Sequence, residues 1–226
     1  MKSTVQHDPF ELIHFLWVRR SIGILGIVFP LILIVGNAFL CADKKWLDSI
    51  SAYYHTGMQN VFVGILCVMA ILLYTYCGPK GEDKTLANMA SAFCFGVAFF
   101  PTKLPDGDSA CFAGLGNEVY SLHLLCAILL FACFAWFTLI TFNKKDERGE
   151  ITAARLRQRP WFKRSGYVII GSMLAIVIGW GIEKYLQVNI QFPLTLICEW
   201  LALTAFGISW VIKGDWIISG HVNEQL

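Results

Sequence analysis

The sequence predicts an all-α, polytopic membrane helix bundle with six transmembrane helices and both termini cytoplasmic. Three observations predict it. The 226 residues are 56% hydrophobic and only 15% charged, whereas about a quarter of a soluble domain is charged. The apolar residues gather into six runs of roughly 20, the length that crosses a hydrocarbon core of roughly 30 Å. Lys and Arg fall almost entirely on one side of the topology those runs define.

The elements follow in order. Asp8-Pro9-Phe10-Glu11 reads as a helix start, with Asp as N-cap, Pro in the first turn and Glu at N3. The next residues, Phe10, Ile13, Phe15, Leu16 and Trp17 beside Arg19 and Arg20, read as an interfacial helix or as an extension of the first span. That span covers 21–41, with a kink expected at Pro30 and close helix contact expected at Gly23 and Gly26. The second span is 59–77, ended by Gly78-Pro79. The third, 85–101, is rich in Ala and other small residues, which places it centrally in the bundle. A Gly- and Asp-rich loop follows, and then the fourth span, 119–142. The segment 143–164 reads as a polar, basic loop before the fifth span, 165–186. Pro193 opens the sixth, 193–212, and a polar tail ends the chain. One domain, 1–226, contains all of this, and no internal repeat is visible.

With the N-terminus inside, fourteen of the 18 Lys and Arg residues lie on the cytoplasmic side, and only Lys44, Lys45, Lys103 and Lys184 lie outside. That bias sets the orientation. The same basic loop, 143–164, is a candidate contact for anionic lipid heads. The N-terminal residues are too polar for a cleavable signal peptide, and no lipidation motif appears. No basic fold motif points to nucleic acid. The setting that fits is a membrane crossed several times.

Of eight cysteines, most fall within spans, where a thiol acts as a small apolar residue. No C-x-x-C occurs, which removes zinc-ribbon and redox readings. Cys41 and Cys111 both map to the outer side, where a disulfide is one option.

The stretch 48–57, DSISAYYHTG, is the most polar connection in the chain. The topology puts it in one outer layer with Asn60, Asp106, Asp108, Glu118, Glu183, His123 and Glu199. Ionisable groups within a membrane face a polar cavity or a partner, and His123 and Glu199 are the clearest cases. If the outer loop closes over the bundle, His55, His123 and Glu199, with Asp48, form a donor set suited to a divalent ion such as zinc. Ser51 and His55 are four apart, so on an α-helical turn they share a face, and Ser51 becomes a nucleophile or oxyanion donor. Tyr54, Asn60, Glu118 and Glu183 would line the rest of the pocket. Tyr53 and Tyr54 otherwise read as interfacial aromatics, and Asp106 and Asp108 as turn residues. Haem ligation, a P-loop and a dinucleotide fingerprint are absent. Ser219-Gly-His221 matches a fragment of a lipid-phosphatase signature, but it sits on the cytoplasmic tail.

The run Ser49-Ile-Ser-Ala-Tyr-Tyr-His-Thr56, followed by Val61-Phe-Val-Gly64 and Phe100-Pro101, resembles a group of uncharacterised bacterial multi-pass membrane proteins. That resemblance implies the fold and no activity. Ser51-xxx-His55 is also similar to the Ser-xxx-His of the alkaline ceramidase and progestin-receptor superfamily, which implies a zinc hydrolase. This chain departs from that superfamily with six spans, Leu66 where an aspartate is expected, and no His-xxx-His in the last span. The leading functional expectation is a metal-dependent hydrolase or transferase acting on a lipid or amphiphile. The alternatives are a small transporter, channel or ligand-binding protein using Glu199 and His123 as a proton or cation site, and a non-catalytic scaffold subunit.

Overall fold

A computed structural model of the protein describes residues 9–40, 46–76, 81–102, 116–144, 153–188 and 192–222. Every regular element among the described residues is helical: α1 (Pro9–Leu40), α2 (Gln59–Thr75), α3 (Gly81–Phe99), α4 (Gly116–Leu139), α5 (Ala153–Leu186) and α6 (Leu194–Val222). Short 3-10 helices occupy Ser51–His55 and Thr141–Asn143. Four stretches are long and apolar enough to cross a membrane: Leu16–Leu40, Val119–Asn143, Leu156–Leu186 and Leu194–Gly214. Gln59–Thr75 is apolar but shorter. Large apolar side chains such as Ile24, Val35, Leu125, Ile128, Val177 and Ile178 are exposed along these helices. A soluble surface rarely carries such continuous apolar faces, whereas a lipid-facing one requires them. The chain is a multi-pass membrane protein.

The helices form a ring in chain order, each packing on the next, with α6 closing on α1 and α4 touching α6 across the interior. Neighbours run antiparallel. Phe29 meets Phe62, Ser91 meets Ala70, and Gly96 meets Cys126. A Cβ on Gly214 would lie 3.1 Å from the Arg20 side chain, so the membrane-capable stretch of α6 ends beside the start of that of α1.

Several helices extend past the boundaries read from hydropathy. α1 runs unbroken from Pro9, so the interfacial segment is a continuation of the first span, and Pro30 lies buried inside the helix without ending it. α5 begins at Ala153, twelve residues before the expected span, and includes Pro160. The segment 143–164 is therefore a basic helical overhang over much of its length, not a loop. α6 likewise continues to Val222. Hydropathy reports the length of the apolar run, and an amphipathic helix can continue past the membrane on its own backbone hydrogen bonds. At the other end of α5, Gln187 takes a left-handed φ of 53°, a conformation common just past a helix C-terminus.

α3 is a wall of the ring between α2 and α4 rather than its centre. Its small residues still perform the expected task. Ala87, Ala90, Ser91, Cys94 and Ala98 are buried, Ser91 Oγ donates to the Ala70 carbonyl at 2.7 Å, and Cys94 Sγ donates to that of Leu66 at 3.3 Å. The interior is aromatic: Phe134 stacks on Phe206 at a 3.6 Å centroid separation, and Trp210 packs against Phe137 at 5.3 Å and Tyr76 at 4.9 Å. The free cysteines among the described residues are Cys67, Cys94, Cys126, Cys133 and Cys198. Cys41 and Cys111 lie outside the described residues.

Gly23 and Gly207 set the approach of α1 to α6. A Cβ on Gly23 would sit 2.7 Å from the Gly207 carbonyl oxygen and 2.8 Å from the Val211 nitrogen, both backbone atoms that cannot step aside. At Gly26 the tightest contact would be 3.3 Å. Gly23→Ala is therefore expected to cost about 1–3 kcal/mol by forcing the helices apart, and Gly26→Ala distinctly less. Thermal unfolding of both variants in detergent measures the order, and equal losses would refute the close-crossing assignment.

Candidate functional site

The connection 46–58 crosses the end of the ring as a strap held by hydrogen bonds to other elements and within itself. Its first half is tied to α6. The Leu196 N–H donates to the Asp48 carbonyl at 2.9 Å, and the Ile50 N–H donates to Glu199 Oε2 at 2.6 Å. The Ser51 backbone N–H also hydrogen-bonds the Glu199 carboxylate. Those amides open the 3-10 helix and have no partner within it, so the carboxylate caps the helix from a distant element. Ser49 Oγ accepts the Ala52 N–H at 3.0 Å and lies 3.3 Å from Ser51 Oγ. The second half closes on Thr56, whose Oγ1 donates to the Tyr53 carbonyl at 2.8 Å and accepts the Met58 N–H at 3.1 Å.

Three apolar side chains fix the strap against the bundle: Ile50, Tyr53 and Met58 are buried. Tyr53 is fully buried and is a core anchor rather than an interfacial aromatic. Burial pushes its phenol above the ordinary tyrosine value, and the nearby Leu47 backbone opposes that in part, while the hydroxyl has no hydrogen-bond partner among the described residues. Tyr54 is half-buried and packs edge-on against His55 at 5.2 Å and Phe62 at 6.0 Å.

The two histidines share one anchor, the turn that ends α3. His55 Nε2 is 2.8 Å from the Thr102 carbonyl oxygen, and His123 Nδ1 is 2.7 Å from that of Phe100. A carbonyl only accepts, so both nitrogens donate, and the tautomers are set as Nε2–H on His55 and Nδ1–H on His123. The lone pairs of His55 Nδ1 and His123 Nε2 remain. His123 is buried, and its Nε2 has no hydrogen-bond partner among the described residues. The Val97 carbonyl also lies near the ring, and the two imidazoles are close enough to interact electrostatically.

The residues expected to converge thus fall into two groups. Asp48, Ser51 and Glu199 gather at the start of the 3-10 helix. His55 and His123 gather at its end, about 8 Å along the axis at roughly 2.0 Å per residue. Asp48 is exposed. Among the described residues, no three His, Cys, Asp or Glu side chains form a group able to hold an ion. Ser51 and His55 do not share a face, because 3-10 geometry aligns positions three apart and sets positions four apart roughly 120° from one another. Asn60 and Glu183 are exposed, at the start of α2 and near the end of α5. The Glu118 side chain and Asp106 and Asp108 lie outside the described residues.

The opposite end of the ring holds charged residues that span reading passed over. Asp83, buried in the first turn of α3, pairs with Lys144 Nζ at 3.0 Å, and Glu82 takes the same ammonium at 3.0 Å. Partial burial pulls Lys144 down, but the hydrogen bonds and charges of the two carboxylates outweigh it and hold the group above the usual lysine value. Arg19 and Lys213 are also buried there, among aromatic rings. The sequence signal for Asp83 was a carboxylate at a helix start just short of an apolar run. No family model, curated protein or solved structure matches the chain.

Glu199→Ala removes the acceptor for the Ile50 and Ser51 amides and is expected to release the first half of the strap. Hydrogen exchange over 48–53 should accelerate at least tenfold, since a hydrogen bond to a charged group contributes roughly 1.5–3 kcal/mol. Glu199→Gln, which keeps one carbonyl acceptor, should fall between the two. Unchanged exchange in Glu199→Ala would show that the carboxylate does not hold the strap.

Proposed function

We propose that this chain is a six-span protein of the bacterial inner membrane, with both termini cytoplasmic, whose outer face binds a divalent cation between His55 and His123. Six helices with antiparallel neighbours and the one-sided Lys and Arg distribution support the topology. One observation carries the site: each imidazole gives one N–H to a carbonyl of the same turn and keeps the lone pair of its other nitrogen. That is the outer-shell arrangement that fixes ring orientation and raises ligand basicity in metal sites. Two imidazoles suit zinc, and the remaining positions on such an ion belong to water or to a substrate oxygen.

The reaction class that fits is metal-assisted hydrolysis or transfer on a lipid or other amphiphile reaching the outer surface. The nucleophile in this reading is an ion-bound water of lowered pKa. Ser51 is not that group, because its backbone is held by Glu199 and its position is rotated away from His55. Asp48 and Glu199 position the strap and do not ligate the ion. Transport ranks lower. Thr138 and Ser209 spend their hydroxyls on carbonyls of their own helices, Ser91 spends its on α2, and aromatic rings such as Phe134 and Phe206 pack the interior between them. The basic start of α5 would meet anionic lipid heads.

The test is elemental analysis of the purified protein. Wild type is expected to bring down one zinc or similar ion per chain. His55→Ala and His123→Ala should each reduce that content at least tenfold while leaving the fold intact by circular dichroism. A metal-free wild type, after zinc loading and buffer exchange, would sink the reading.

A further inference from the structure

The first turns of α5 carry charge of one sign. No Asp or Glu occurs in the helix before Glu183, whereas Arg155, Arg157, Arg159, Lys163 and Arg164 crowd its start. Residues 165–182 then carry no charged side chain. At 1.5 Å per residue they span roughly 27 Å, close to the roughly 30 Å of a hydrocarbon core. Exposed side chains along them, such as Val168, Ile170, Leu174 and Val177, are apolar. That stretch fills the hydrocarbon layer, so Arg164 and Trp161 stand where the headgroups begin, the level at which Trp and Tyr gather. Tyr167, exposed one turn further in, marks the same boundary.

Arg157, Trp161 and Arg164 are all exposed. Their spacing of four and then three puts them on one helix face, successive residues being about 5–6 Å apart at Cβ. Val168 continues that face into the apolar stretch. The Arg164 guanidinium lies 5.7 Å over the Trp161 ring, a contact that engages its charge and consumes no N–H donor. Arg157 and Arg164 make no ion pair or hydrogen bond among the described residues. Arg159 turns the other way, half-buried, and donates to the Asn143 carbonyl at 2.8 Å. Glu82 and Asp83, described carboxylates of this end, hold Lys144. Two guanidinium forks flanking an indole at headgroup depth match a phosphate, because each fork can take two of its oxygens at once. A soluble anion would leave the apolar face below uncovered. A lipid covers it with acyl chains while its phosphate meets the arginines.

We infer that this strip binds an anionic phospholipid, its phosphate held by Arg157 and Arg164 beside Trp161 and its acyl chains lying along Val168. The site rests on the membrane topology proposed above, makes its lipid contact specific, and is independent of the histidine pair. The full chain is purified in a neutral detergent and mixed with phosphatidylglycerol or phosphatidylcholine, and native mass spectrometry reads the lipid retained per chain. Phosphatidylglycerol is expected to bind about tenfold more tightly than phosphatidylcholine. Arg157→Gln combined with Arg164→Gln should abolish that preference. Both side chains are exposed, so the double variant should keep the wild-type unfolding midpoint when no lipid is added. Lys84→Gln should keep the preference, since Lys84 is an exposed cation at the same end but on α3, with α4 between it and α5. No preference in the wild type, a preference retained by the double variant, or an equal loss in Lys84→Gln would overturn the site. Elemental analysis of the same wild-type sample reads the histidine pair and not this strip, so the two stand or fall separately.

Discussion

The 2.6 Å hydrogen bond from the Ile50 amide to Glu199 decides how the strap end of this bundle is built. Lipid and aromatic side chains offer a backbone amide nothing to bond, so an irregular connection can lie over a membrane bundle only where protein groups satisfy it. Here an acidic side chain on the last helix takes the amides that open the 3-10 turn. Two imidazoles take carbonyls beyond the end of α3. The strap is thereby fixed at both ends, to α6 and to the α3–α4 corner, and Tyr53 fills the space beneath it. Position of the strap, burial of Tyr53 and the pairing of His55 with His123 all follow from those few bonds.

The same rule explains how Thr138, Ser209, Ser91 and Cys94 are accommodated within the apolar segments. Thr138 and Ser209 return their hydroxyls to the preceding turn, and Ser91 and Cys94 stitch α3 to α2. Each satisfies its own donor at minimal cost in lipid. Aromatic rings occupy the remaining interior, because six helices in a ring leave more central space than aliphatic side chains fill.

Much of this fold is legible in the sequence. The apolar runs mark where the helices lie, Gly23 marks a close crossing, and small residues mark α3 as a packing helix. The early start of α5 is not legible, because a basic helix and a basic loop have the same composition and differ only in backbone hydrogen bonds. The polar layer is half legible. Topology alone puts His55, His123 and Glu199 at one end. Which of them meet depends on whether 51–55 winds as an α or a 3-10 turn, a difference of 20° per residue that no residue in that stretch declares. Asp83 and the buried Arg19 and Lys213 were passed over for a related reason. At a span boundary a charge reads as a topology marker, and only packing reveals that it has been drawn inside.

Burial of Arg19 and Lys213 runs against the usual behaviour of boundary cations, which extend their heads to water. Both instead lie over aromatic faces, where a desolvated cation regains part of its lost hydration from the ring quadrupole. The strap end is held otherwise, by two imidazoles, one carboxylate and their hydrogen bonds to backbone. The two ends are therefore held by different means, hydrogen bonds to backbone at the strap and cation–aromatic contacts at the other end.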